Sequence, residues 1–209
     1  MPKLSLPSII LLAVPPTALA QGLSVGATAG VAATYQADLS GPYFPIRTVP
    51  RWTPLVGLTA DWQLSRPVAV QSGVTYVGKG YWAPGYALNL AYLEFPLLAR
   101  ARLVPLSRIR PLFLAGIAPA VKVGCWEDYT GPNYVRIRYA EGVHCPGPKT
   151  NSWDVGLVGG VGMEYSARST RVTADLRYTH GLSNFYATET AFHAHNRAVL
   201  FVFSIARGH

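Results

Sequence analysis

Apolar and polar residues alternate along most of this chain, and the alternating runs number eight. In Arg171–His180, Val172, Ala174, Leu176 and Tyr178 fall on one face, against Arg171, Thr173, Asp175, Arg177 and Thr179. Successive side chains of a strand point to opposite sides, so this period of two predicts β-structure. Trp153–Ser166 sets Trp153, Leu157, Val161 and Met163 against Asp154, Gly156, Gly160, Gly162 and Glu164. Leu93–Leu103 sets Phe95, Leu97 and Ala99 against Glu94, Arg100 and Arg102. The same period runs through Gly22–Thr34, Thr53–Leu64, Val68–Gly80, Pro111–Val123 and Arg197–Ala206.

The links between the runs read long, short, long, short. Gln36–Arg51, Tyr81–Tyr86, Gly124–Thr150 and Ser183–Ala194 are the long ones; Ser65-Arg66, Pro105–Ile109 and Ala167–Thr170 are the short ones. Short turns on one side and long loops on the other are the rhythm of an antiparallel barrel in an outer membrane. A β-sandwich also alternates, but its strands average ~5–6 residues. Most runs here span more than that. Charges recur on the less apolar face, and aromatics mark the ends of the other: Trp153 and Tyr178 toward the loops, Trp62 and Tyr165 toward the turns. The expected fold is all-β: a closed eight-stranded antiparallel transmembrane β-barrel with short periplasmic turns and long extracellular loops. Closure is required because an open edge in lipid leaves backbone groups unpaired.

Composition supports this fold class. Charged residues make up only 13% of the 209-residue chain, about half the share usual in a soluble domain, while 50% is hydrophobic. The first twenty residues read as a cleaved secretory signal peptide: Lys3, an apolar Leu4–Val14 run, and Ala18-Leu19-Ala20 as the cleavage site. The expected domains are therefore residues 1–20, the signal, and 21–209, the barrel, integral to a bacterial outer membrane.

An eight-stranded barrel encloses a lumen about filled by side chains. The expected lumen network is Asp61, Glu94, Arg100, Arg102, Asp154, Glu164, Asp175 and Arg177, which must pair because buried charges require partners. The formal net charge is +8. Its carriers do not form one patch, so nucleic acid is not an expected partner. Arg66, Arg108, Arg110, Arg168 and Arg171 sit near the short turns.

The only cysteines, Cys125 and Cys145, share the longest link. After export they are expected to form a disulfide, worth roughly 3 kcal/mol in the chain-entropy model. Tyr43, Phe44, Trp82, Trp126 and Tyr129 bring aromatics to the extracellular loops. These are the candidate binding residues, since Tyr and Trp are enriched in binding centres.

The segments Val74–Tyr81, Ala91–Ala99, Ser152–Gly162 and Leu176–Asn184 resemble, in this order, the PorT-like family of outer-membrane β-barrels. The resemblance implies an eight-stranded barrel and no single activity. His180 and Ser183 are the residues that a lipid-modifying hydrolase would use, with a base in reach of a hydroxyl. His144, His193 and His195 are a weak metal alternative, and a narrow solute channel is a third. The reading favoured is a non-enzymatic barrel with no catalytic, metal or cofactor site. Its role is envelope-structural or interactive, and its partners are outer-membrane lipid and another envelope protein or glycan.

Overall fold

Among the described residues ten strands, all antiparallel, build one sheet that closes on itself. The computed structural model describes residues 22–40, 49–104, 108–130, 136–140, 151–167, 169–184 and 193–208. The strands are β1 (Leu23–Ser40), β2 (Arg51–Gln63), β3 (Val68–Ala83), β4 (Tyr86–Glu94), β5 (Leu97–Arg102), β6 (Ile109–Thr130), β7 (Arg136–Ala140), β8 (Trp153–Ala167), β9 (Thr170–Gly181) and β10 (His193–Gly208).

Eight of the positions around the ring are barrel strands. β4 and β5 together fill one of them, since both pair β3 on one side and β6 on the other. The interruption falls at Phe95-Pro96, where proline has no N–H for the ladder. The Phe95 N–H still donates to the Pro119 carbonyl at 2.8 Å, which keeps the two segments in line. β7 stands outside the ring and pairs only the far end of β6. The ring closes where β1 meets β10, from Ser24 opposite Gly208 to Ser40 opposite His193.

The outward face carries the apolar residues that alternation assigned to it. Val56, Leu58, Phe113, Leu157, Met163 and Phe203 are all exposed, as a lipid-facing band requires. Trp153 and Tyr178 bound this band at one end, and Tyr165 bounds it at the other. Inside, two apolar clusters fill the lumen: one around Leu55, Leu88, Leu90, Tyr92 and Leu200, the other around Leu98, Leu112, Leu114 and Val158.

The strands run on where loops were expected. A tilted strand crosses a membrane in ~9–11 residues; β6 has 22 and β1 has 18. Residues 35–40 and 124–130 are therefore strand. The link Tyr81–Tyr86 is a tight turn rather than a long loop. Ala83 pairs Tyr86, and only Pro84 and Gly85 lie between them. Gly85 has φ +80° after a proline, the geometry of a type II turn. The outer halves of β3, β4 and β6, joined by β7, form a ribbon beyond the lipid band.

Candidate functional site

Inside the barrel the charges pair in three tiers. Nearest the short turns, Glu164 accepts from Arg102 Nε at 2.9 Å and lies 3.6 Å from Arg171 Nε. Arg102 Nη1 also donates to Gln63 Oε1 at 2.7 Å. In the middle tier, Arg100 donates to Asp61 at 3.1 Å and faces Asp175 at 3.6 Å, a charge contact too long for a hydrogen bond. Arg177 donates to Asp175 at 2.7 Å and to Gln71 Oε1 at 3.0 Å; Gln71 in turn donates to Asp61. In the outer tier, Lys79 Nζ holds Glu94 at 2.7 Å and Asp154 at 3.0 Å, with the Tyr92 ring 4.9 Å away. Asn196 also donates to Asp154.

All eight of the charged residues named from the sequence thus lie in the lumen, each beside an opposite charge. Sequence reasoning left Lys79 out of the network. Its signal was present, since Lys79 shares the polar face of β3 with Gln71 and Thr75. Five carboxylates, Asp61, Glu94, Asp154, Glu164 and Asp175, meet five cations, Lys79, Arg100, Arg102, Arg171 and Arg177. Within this network of described residues the charges match one for one; Lys122, Glu127 and Asp128 are buried outside it.

Small residues make the room for it. A Cβ on Gly162 would sit 2.2 Å from Asp175 Oδ1 and 2.8 Å from the Ala174 carbonyl oxygen. Only glycine lets Asp175 lie across β8 toward the arginines. One internal cavity, lined by Thr75, Glu94, Leu98 and Arg177 among others, has a volume of about 20 Å³, room for a water molecule or so.

The histidine and serine of the Leu176–Asn184 segment are separated by their bonding. Ser183 Oγ accepts the Val155 N–H at 3.1 Å, and no hydrogen bond joins it to His180. Asn184 Oδ1 accepts the Ala194 N–H, and its carbonyl accepts from Asn151. These residues staple the end of β9 to β8 and β10. The described residues contain no cluster of metal-ligating side chains.

At the extracellular end the ribbon and the start of β2 enclose an open cleft of about 380 Å³. Arg51, Trp82, Asn89, Trp126, Asp128 and Arg138 line it. Trp82 is 46% exposed. Arg138 lies over the Trp126 ring at 6.0 Å and grips Asp128 through Nε at 2.7 Å and Nη2 at 3.3 Å. The hydrogen bond and the charge of Asp128 hold the Arg138 guanidinium above its ordinary pKa, so it stays cationic. Asn89 donates to Asp128 from the neighbouring strand. Of the aromatic candidates, Trp82 and Trp126 meet in this cleft. Tyr129 instead joins a row of tilted rings, 5.0 Å from Tyr86, which is 5.9 Å from Tyr81. Tyr43, Phe44 and Cys145 lie outside the described residues. Cys125 is buried in β6, and no described cysteine is free.

A closed ring of tilted antiparallel strands, apolar outside and charged within, is the architecture of an integral protein of the bacterial outer membrane. The chain belongs to the outer membrane protein beta-barrel domain family, whose model matches residues 19–187. Among solved structures it is similar to Neisserial surface protein A (NspA), with 13% identity, 90% of this chain and 98% of that one covered, and a TM-score of 0.56. It is also similar to OprG from Pseudomonas aeruginosa, with 12% identity, 90% and 94% covered, and a TM-score of 0.51. At such identities the likeness is one of fold. No curated protein matches the chain by sequence.

Proposed function

We infer that this barrel acts by recognition at its extracellular end, as a non-enzymatic membrane protein that engages another envelope protein or a glycan. The observation that carries the reading is the cleft in which Trp82 and Trp126 stand beside Asp128, Asn89, Arg51 and Arg138. Flat apolar faces next to fixed hydrogen-bonding groups suit a ligand with both kinds of surface. The charge network inside the barrel supports the same reading, because among the described residues its groups are tied to one another. Within the family, the four segments quoted above favour the PorT-like branch. The reading also takes residues 1–20 as the cleaved signal and Cys125–Cys145 as a disulfide that holds the ribbon.

The test is photo-crosslinking in intact cells from a reactive residue placed at Trp82. One dominant adduct, lost when Trp126→Ala and Arg138→Ala are combined, is the expected result. Adducts no more specific than those from a lipid-facing position such as Phe113 would overturn the reading.

A further inference from the structure

The net positive charge of the chain gathers at the short-turn end. The five carboxylates of the lumen network are paired, and the one near this end, Glu164, is already taken by Arg102 and Arg171. Outside the lumen, Arg66, Arg108, Arg110 and Arg207 stand at this end, and the sequence puts Arg168 between β8 and β9. The acidic residue opposite Arg110 in the β6–β8 ladder is that same Glu164, already held by Arg102 and Arg171.

Three guanidinium groups share one recess. It measures about 600 Å³ and is lined by Gln63, Arg66, Pro67, Arg102, Leu103, Val104 and Arg110. It lies between the β2–β3 turn and the β5–β6 connection. Its polar side is built rather than loose. Gln63 Nε2 donates to the carbonyls of Ser65, Arg66 and Val68, which fixes the turn that carries Arg66. Gln63 Oε1 meanwhile accepts from Arg102. Arg102 is 5% exposed and spends Nε and Nη1 on Glu164 and Gln63. Its Nη2 is buried with no hydrogen-bond partner. Among the described residues Arg66 and Arg110 have no ion-pair partner. Like charges held together without an anion repel, and an anion placed between them gains from all of them.

The other side of the recess is apolar. Leu103 is half-exposed, and Val104 is 83% exposed. Pro67 completes the wall, and Leu64 is exposed beside the same turn. A guanidinium cluster against an apolar ledge, at the membrane boundary, matches a molecule with a phosphate at one end and hydrocarbon at the other. The short turns face the periplasm, where the inner leaflet of an outer membrane presents phospholipid.

We propose that this recess is a binding site for the phosphate headgroup of an anionic inner-leaflet phospholipid. Arg66 and Arg110 clamp the phosphate, Arg102 adds positive potential from the floor, and the acyl chains leave along Leu103 and Val104. The site is independent of the extracellular cleft and stands or falls without it.

The test reconstitutes the whole barrel in phosphatidylcholine nanodiscs doped with phosphatidylglycerol, and reads the lipids retained on the released protein by native mass spectrometry. The wild type is expected to keep phosphatidylglycerol in preference to phosphatidylcholine. The double variant Arg66→Gln/Arg110→Gln is expected to lose that preference, while Arg207→Gln, exposed at the same end but outside the recess, keeps it. Both altered side chains of the double variant are exposed, and unchanged boiling-dependent gel mobility checks that it folds. Equal retention by the wild type and the double variant overturns the proposal. So does displacement of the lipid by millimolar inorganic phosphate, which would make the site one for free phosphate.

Discussion

Arg100 is the residue on which most of the lumen turns. It is 1% exposed and bridges Asp61 on β2 to Asp175 on β9, across the barrel from its own strand. Removing it leaves Asp61 buried without a counter-charge, while Asp175 keeps Arg177; removing both partners of a pair costs less. Arg100→Ala is expected to lower the unfolding free energy in detergent by about 3–5 kcal/mol. The double variant Arg100→Ala/Asp61→Ala is expected to lose less than the two singles added together. Strict additivity in urea titrations would show that the pair is not coupled. At this scale the sequence was readable in part. Alternation put Arg100, Asp61 and Asp175 on inward faces, but the partner of each depends on stagger between strands, which one chain read alone does not display. Lys79 shows the same limit: its face was legible, while its place between Glu94 and Asp154 was not.

Strands were legible where one face meets lipid and the other meets the lumen. β8 and β9 keep a strict period of two from end to end, and their bounds were read to within a residue or so. The reading failed in the ribbon. Asn89, on the other side of β4 from Leu88 and Leu90, is buried like them, so all of Leu88–Tyr92 is covered. With no lipid face there is little alternation to detect: the run Leu93–Leu103 catches only the end of β4, and the outer part of β6 falls in the expected link Gly124–Thr150. The Pro84-Gly85 turn follows the same logic: a type II turn needs two residues, and the aromatic run around it, Tyr81–Tyr86, reads in sequence as a connection. Gly85→Val would force a β-branched residue to φ +80°. We expect a penalty of about 1–2 kcal/mol felt only at the tip of the hairpin. Limited proteolysis should cut the variant ribbon faster while the boiling-dependent mobility of the barrel stays unchanged. Loss of that mobility shift would mean that the ribbon and the ring fold as one unit.

For the whole molecule, the distribution of charge assigns the work. Among the described residues the lumen carries a paired charge network between apolar clusters. The extracellular end combines aromatic and charged groups in one cleft, and the periplasmic end carries an uncompensated cluster of arginines. The class and location of the protein could be read from the spacing of its runs; the cleft could not, because Trp82, Trp126 and Arg138 come from three strands and meet only through the β3–β4, β4–β6 and β6–β7 pairings. Function then resides at the two ends and not along the axis. Planar-bilayer recording of the refolded barrel decides between ends and axis. A quiet bilayer, with no steps of constant amplitude across the voltage range, is expected. Reproducible unitary steps, altered in size by Arg100→Ala, would contradict it and make the lumen a path.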